Sequence, residues 1–161
     1  MPIKVGDRLP EAKFRVMTSD GPVWKTTDDV FKGKKVALFG VVGAFTGTCH
    51  GNHLPSYLKN YDAFRTKSVD TIAVTSVNDF FVMDAWKKAA GAEGKIEFLS
   101  DGNADFVKAI GMNNDATAAG FGLRSQRYSM LVDDGVVKQL NVEPEAGKVQ
   151  VSGGDTLLKQ I

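Results

Sequence analysis

The 161-residue chain predicts an α/β fold, a mixed central sheet that opens with an N-terminal hairpin and carries helices on both faces. Three observations lead there. Short, nearly continuous apolar runs at 36–39 and 71–77 have the pattern of strands buried on both sides. They alternate with stretches whose apolar residues recur at helical spacing. Asp20-Gly21 and Asp134-Gly135 each separate two alternating runs, which is a hairpin signal.

Taken in order, residues 13–17 and 22–25 form the first hairpin around Asp20-Gly21. Thr27-Asp28-Asp29 offer caps for a short helical turn through Phe31, which Gly33 stops. Residues 35–42 make the first buried strand. A small-residue loop, Gly43-Ala44-Phe45-Thr46-Gly47-Thr48, then leads to Cys49. Leu54, Tyr57, Leu58, Tyr61 and Phe64 follow with a 3.6-residue period and predict one amphipathic helix. Pro55 lacks an N–H and crowds the preceding turn, so a helix begun at Cys49 should bend there.

Residues 71–77 are the second buried strand, and Asn78-Asp79 cap a helix carrying Phe81, Met83, Ala85, Trp86 and Ala89. Residues 96–99 give a third strand, and 103–110 a short helix closed by Gly111. Residues 113–125, with Asn, Gly, Ala and Ser and no period, read as loop. A second hairpin, 127–132 with 136–140, turns at Asp134-Gly135; a polar loop over 145–151 and a helix over 156–161 complete the chain. The order hairpin, βαβαβα, hairpin, helix implies parallel pairing in the middle and antiparallel strands at the end. One domain over residues 1–161 is expected from the length.

Composition narrows the function. Lys and Arg number 20 against 19 Asp and Glu, with no long run of one sign, so neither nucleic acid nor an anionic membrane is an expected partner. No apolar run spans a bilayer, and residues 1–7 have no signal-peptide core. A cytoplasmic protein is expected, with an organelle form that has lost a transit peptide as the alternative. One cysteine and two histidines make neither a disulfide framework nor a zinc site of the Cys/His type. No cofactor is expected.

That cysteine, Cys49, is therefore the candidate for chemistry. It sits on a glycine-rich loop at the carboxyl end of a predicted strand, where ligands gather in such sheets, and just before a helix, where backbone N–H groups and the dipole favour a thiolate. A buried apolar cysteine without chemistry is the alternative. Thr46, three residues earlier, either reaches the sulfur with its hydroxyl or closes a turn on the backbone. Arg127, preceded by Arg124, would stabilise a thiolate if the fold brought it close; spacing does not link the two. His53 lies at i+4 from Cys49 on the same helix face, as a base, an orienting group or a structural histidine; His50 lies on another face.

Gly43-Ala44-Phe45-Thr46-Gly47-Thr48-Cys49, His53-Leu54-Pro55, Arg127-Tyr128-Ser129-Met130 and Leu140-Asn141-Val142-Glu143 resemble the peroxiredoxins, more narrowly their type II branch. The resemblance runs from Val5-Gly6-Asp7 to the C-terminal helix. It implies a thioredoxin-like three-layer sandwich, a peroxidatic Cys49, a Thr46 hydroxyl that orients thiolate and peroxide, and Arg127 as the active-site arginine. Val42, Gly47, Thr48 and His53 fall at pocket positions. Val42 stands where the family pattern begins with proline, and Gly47 where proline is common.

The implied activity is reduction of hydrogen peroxide and alkyl hydroperoxides through a sulfenic acid. Some relatives hold a resolving cysteine near position 151, which here is Val151. The implied reductant is thus an external thiol, glutathione with glutaredoxin or thioredoxin. The resemblance also implies a homodimer, with Phe45, Phe80, Phe81 and residues 113–122 as interface candidates. A redox sensor or a partner-binding relative of low activity is the alternative function. A dithiol oxidoreductase is disfavoured, since no Cys-x-x-Cys pair is present.

Overall fold

The computed structural model describes residues 2–161. Seven strands make one mixed sheet: β1 (Lys13–Thr18), β2 (Gly21–Thr26), β3 (Lys35–Gly40), β4 (Thr71–Ser76), β5 (Ile96–Ser100), β8 (Tyr128–Asp133) and β9 (Val136–Val142), in the order β2-β1-β5-β4-β3-β8-β9. β3, β4 and β5 pair in parallel, and both hairpins add antiparallel strands. The doubly buried runs of the sequence are thus the central strands. The second hairpin pairs Asp133 with Val136 and has positive φ at Asp134 and Gly135, the mirror-image turn that an Asp-Gly pair favours.

Helices cover both faces. α1 (Thr27–Phe31) and α5 (Asp105–Ala109) place Val30, Phe31, Phe106 and Val107 in one core layer, against Val36, Leu38 and Val132. On the other face, α2 (Leu54–Leu58), α3 (Tyr61–Thr66), α4 (Phe80–Ala89) and α6 (Gly154–Gln160) bring Leu54, Tyr57, Phe64, Trp86 and Leu157 onto Ala37, Phe39 and Val74. Asp79 caps α4 by accepting the N–H of Val82 (2.9 Å). Thr26, one residue before the expected Thr27, caps α1 in a reciprocal pair with Asp29.

Two expectations are corrected. Residues 113–125 are not plain loop: β6 (Asn113–Asp115) and β7 (Leu123–Ser125) form a small antiparallel ribbon. The predicted single helix after Cys49 is two segments, interrupted at Lys59 and Asn60. The bend expected at Pro55 takes the form of a widened turn at Cys49–His53, in which Leu54 N–H bonds to Cys49 C=O five residues back. Pro55 then sits in the first turn of α2, where its missing N–H costs little.

This architecture fixes the loop after β3. Val41 N–H still bonds to Thr75 C=O (3.1 Å), and Ala44 N–H bonds to the Asn78 side chain (3.0 Å) beyond β4. Gly40 has no room for a side chain, because a Cβ would lie 2.2 Å from the Tyr128 ring. The loop therefore leaves β3 at the carboxyl edge of the parallel strands.

Candidate active site

Cys49 enters at the widened turn with its side chain wholly buried among Val41, Leu54 and their neighbours. Arg127, just before β8 and 2 % exposed, reaches it from 78 residues away: Nη2 donates to Cys49 Sγ at 3.0 Å. The same guanidinium donates from Nη1 to His53 Nδ1 (2.9 Å) and from Nε to Ala146 C=O (2.8 Å). The strand β3–β8 pairing carries this contact, since Gly40 opposite Tyr128 sets the end of β3 beside the start of β8.

His53 is neutral in this arrangement. Arg127 can only donate, so Nδ1 accepts and Nε2–H donates to Ser152 C=O (2.9 Å). Burial, and then the Arg127 charge, push its pKa from 6.5 down to about 3. The ring packs against Phe39 and Tyr57 (centroids 4.9 and 5.8 Å), and Tyr57 Oη donates to the same Ser152 carbonyl (2.8 Å).

A pH prediction follows from that shift. Unfolded His53 takes a proton near 6.5 and folded His53 near 3, so the unfolded chain binds it first. The penalty is absent above 6.5 and grows as pH falls toward 3, by about 1.4 kcal/mol per unit. Asp101 acts with the opposite sign. Burial raises its pKa from 3.8 to about 6, so its contribution is lost as pH rises through that window. Between pH 6 and 4 the two nearly cancel, so urea midpoints should stay almost level for the wild type and rise as pH falls for His53→Asn, in which only the Asp101 contribution remains.

Thr46 meets the second of its two readings. Its hydroxyl donates to Gly43 C=O (2.7 Å), not to the sulfur, so its lone pairs are what it offers to a ligand. Thr46, Gly47, Thr48, Val42 and Arg127 line a cleft of about 390 Å³ together with Ala116, Ala119 and Phe121. Thr48 Oγ1 donates to Gly147 C=O (2.8 Å) at its rim. Cys49 and His53 lie behind this lining, connected to it through Arg127.

The remaining candidates lie outside the cluster. His50 is exposed, and its Nδ1 accepts from Trp86 Nε1 (3.0 Å). Arg124 does not reach the sulfur; it bonds to Phe121 C=O (3.0 Å) and Val42 C=O (3.4 Å), tying β7 to the loop. Sequence reasoning missed Glu143, Ala146 and Ser152 as members of the site. Their signals are a carboxylate at the end of an alternating strand and the place of Glu143 in the Leu140-Asn141-Val142-Glu143 motif. Among the described residues no group of three or more His, Cys, Asp and Glu could hold a metal ion. Nor is any described helix long and apolar enough to cross a membrane.

Comparisons with known proteins show the family. The Redoxin family model matches residues 4–158. A peroxiredoxin of Synechocystis is 42% identical over 94% of this chain and 88% of its own length. The crystal structure of reduced Prx3 from Vibrio vulnificus in complex with hydrogen peroxide is 47% identical, with a TM-score of 0.93 over 98% of each chain. A Burkholderia cenocepacia structure provisionally described as a thioredoxin reductase has a TM-score of 0.96 at 40% identity, over 100% of this chain and 99% of that one. A lone cysteine on a thioredoxin-like scaffold is nonetheless not the dithiol of a disulfide reductase. With its Redoxin match, its relatives and a buried cysteine held by arginine, the chain belongs to the peroxiredoxins, oxidoreductases that act through a cysteine thiol.

Proposed function

We propose that Cys49 is the peroxidatic nucleophile of a one-cysteine thiol peroxidase that reduces hydrogen peroxide and alkyl hydroperoxides. The observation that carries this is the contact of 3.0 Å between Arg127 Nη2 and Cys49 Sγ, both side chains buried. A guanidinium so placed holds the sulfur with a charged donor, and that charge counts for more where water is excluded.

The thiolate attacks the terminal oxygen of the peroxide. An S–O bond forms, the O–O bond breaks, and the leaving oxygen takes a proton to become water or alcohol. Cys49 is oxidised by two electrons to the sulfenic acid. Arg127 and the backbone N–H groups of Thr48 and Cys49 are the donors for the oxygen on which charge develops. Thr46, its proton committed to Gly43, accepts from the peroxide O–H and fixes the line of attack. Val42, Gly47 and Thr48 shape the pocket, and His53 holds Arg127 by its neutral Nδ1. Removing the hydroxyl in Thr46→Val should lower the peroxide rate about 10- to 100-fold, while Thr46→Ser stays near wild type; stopped-flow reaction with hydrogen peroxide measures both.

With one sulfur of this kind in the chain, no internal disulfide can form. An external thiol attacks the sulfenic sulfur, expels water and leaves a mixed disulfide; a second thiol frees Cys49. Glutathione with glutaredoxin, or thioredoxin, would serve in the cytoplasm. Exposed Phe45, Phe81 and Phe121 suit a homodimer face. The decisive test is steady-state consumption of several peroxides with each reductant. Sustained turnover with at least one pair is expected. A single stoichiometric oxidation that then stops with every reductant would make the protein a sensor instead.

A further inference from the structure

We propose that Glu143 is a positioning residue for Cys49: its carboxylate holds the segment 144–152 as a strap against Arg127 and His53. This rests on the reading of Cys49 as the nucleophile. Glu143 follows β9, and its own N–H bonds to Arg127 C=O (2.9 Å), so it is tied to the strand start that carries the guanidinium. Its side chain is 6 % exposed. Oε2 accepts the N–H groups of Gln150 (2.9 Å), Val151 (2.9 Å) and Ser152 (2.7 Å) and the Ser152 hydroxyl (2.6 Å); Oε1 accepts Gln150 N–H again (3.0 Å). Three consecutive N–H groups that converge on one carboxylate form a nest for an anion. Burial alone would raise the Glu143 pKa, but the Ser152, Val151 and Gln150 donors outweigh it and hold the group below the ordinary carboxylate range.

What the carboxylate holds is what the site uses. The strap offers Ala146 C=O to Arg127 Nε, Gly147 C=O to Thr48 Oγ1, and Ser152 C=O to both His53 Nε2 and Tyr57 Oη. The Ala146 carbonyl fixes the Arg127 guanidinium at Nε, and the Ser152 carbonyl fixes the His53 tautomer that receives Nη1. Residues 144–149 form no regular strand or helix of their own. Without the nest the strap carbonyls would drift, and Arg127 would lose the two partners that point Nη2 at Cys49.

The experiment compares wild type, Glu143→Gln, Glu143→Asp and Ser152→Ala as full chains. Glutamine keeps the shape but turns an amide N–H toward donors and removes the charge. Iodoacetamide alkylation of Cys49 across pH reads the thiolate fraction without any peroxide chemistry, and stopped-flow peroxide oxidation is read beside it. For Glu143→Gln, alkylation at neutral pH should fall about tenfold and recover in alkali, with peroxide oxidation falling alongside, as expected for loss of a charged hydrogen-bond partner. Glu143→Asp should recover part of both. A folded Glu143→Gln protein with the wild-type alkylation profile would overturn the proposal and leave Glu143 a purely structural anchor. If that variant does not fold, Ser152→Ala decides, since it deletes one donor and leaves the carboxylate: a drop of about two- to threefold supports positioning, and none overturns it. A wild type that never reacts with peroxide would sink the peroxidase reading while the alkylation comparison still judged Glu143.

Discussion

Arg127→Lys should lower the rate of peroxide reaction at Cys49 by about 10²- to 10³-fold, although the charge is conserved. The guanidinium makes three directed bonds at once, to Cys49 Sγ, His53 Nδ1 and Ala146 C=O, and its side chain is 2 % exposed. An ammonium is a point charge on a flexible stem and cannot reproduce that fork. It would keep one or two partners and leave another buried without a bond, which costs about 1–3 kcal/mol. The loss should therefore appear in stability as well as in rate. Thermal unfolding and stopped-flow oxidation on the same preparation measure the two. A lysine variant within a few-fold of the wild-type rate would mean that charge alone, and not aim, does the work.

Cys49→Ser should remove peroxide consumption down to the buffer rate, yet remain folded. Serine oxygen can still accept Nη2 of Arg127, so the buried fork keeps its third partner. Its hydroxyl does not ionise beside the guanidinium to any useful degree, and the nucleophile is gone. Cys49→Ala is equally inactive but should be less stable than Cys49→Ser by about 1–3 kcal/mol, because Arg127 Nη2 is then buried without an acceptor. Denaturant midpoints of the two variants test this ordering. Turnover by the serine variant equal to wild type would place the chemistry elsewhere.

The central strands were legible because burial on both faces writes itself as Val, Ala, Leu and Phe in succession at 36–39 and as Ile72-Ala73-Val74 in β4. The Asp134-Gly135 turn was legible because few residue pairs tolerate two positive φ angles in a row. The ribbon of β6 and β7 was not. Its strands are three residues each, Asn-Asn-Asp and Leu-Arg-Ser, too short and too polar to show alternation. The widened turn at Cys49–His53 also left no mark beyond Pro55, since a helix with one wide turn has nearly the same apolar spacing as one without.

Within the site, His53 was within reach of sequence because i+4 on a helix fixes a neighbour, and it lies beside the sulfur's own partner. Arg127 could be suspected but not placed, since only the pairing of β3 with β8 sets it against Cys49. Glu143 was legible only as a member of the Leu140-Asn141-Val142-Glu143 resemblance, with no role attached: its importance lies in three backbone N–H groups that fold back onto it, and backbone donors have no sequence. Val42 and Gly47 depart from the prolines that the resemblance implies, and hydrogen bonds hold the loop between them. Arg124 bonds to Val42 C=O, Asn78 to Ala44 N–H, and Thr46 to Gly43 C=O, while Phe45 sits at a positive φ of 63°.

The most direct measurement is intact-protein mass spectrometry, with peptide mapping, after rapid mixing of the reduced chain with one equivalent of hydrogen peroxide. One added oxygen, located on Cys49 and removed by added thiol, is the predicted product. Oxygen that lands on the methionines as fast as on Cys49, or a chain that emerges unmodified, would contradict the assignment of Arg127-held Cys49 as the reacting group.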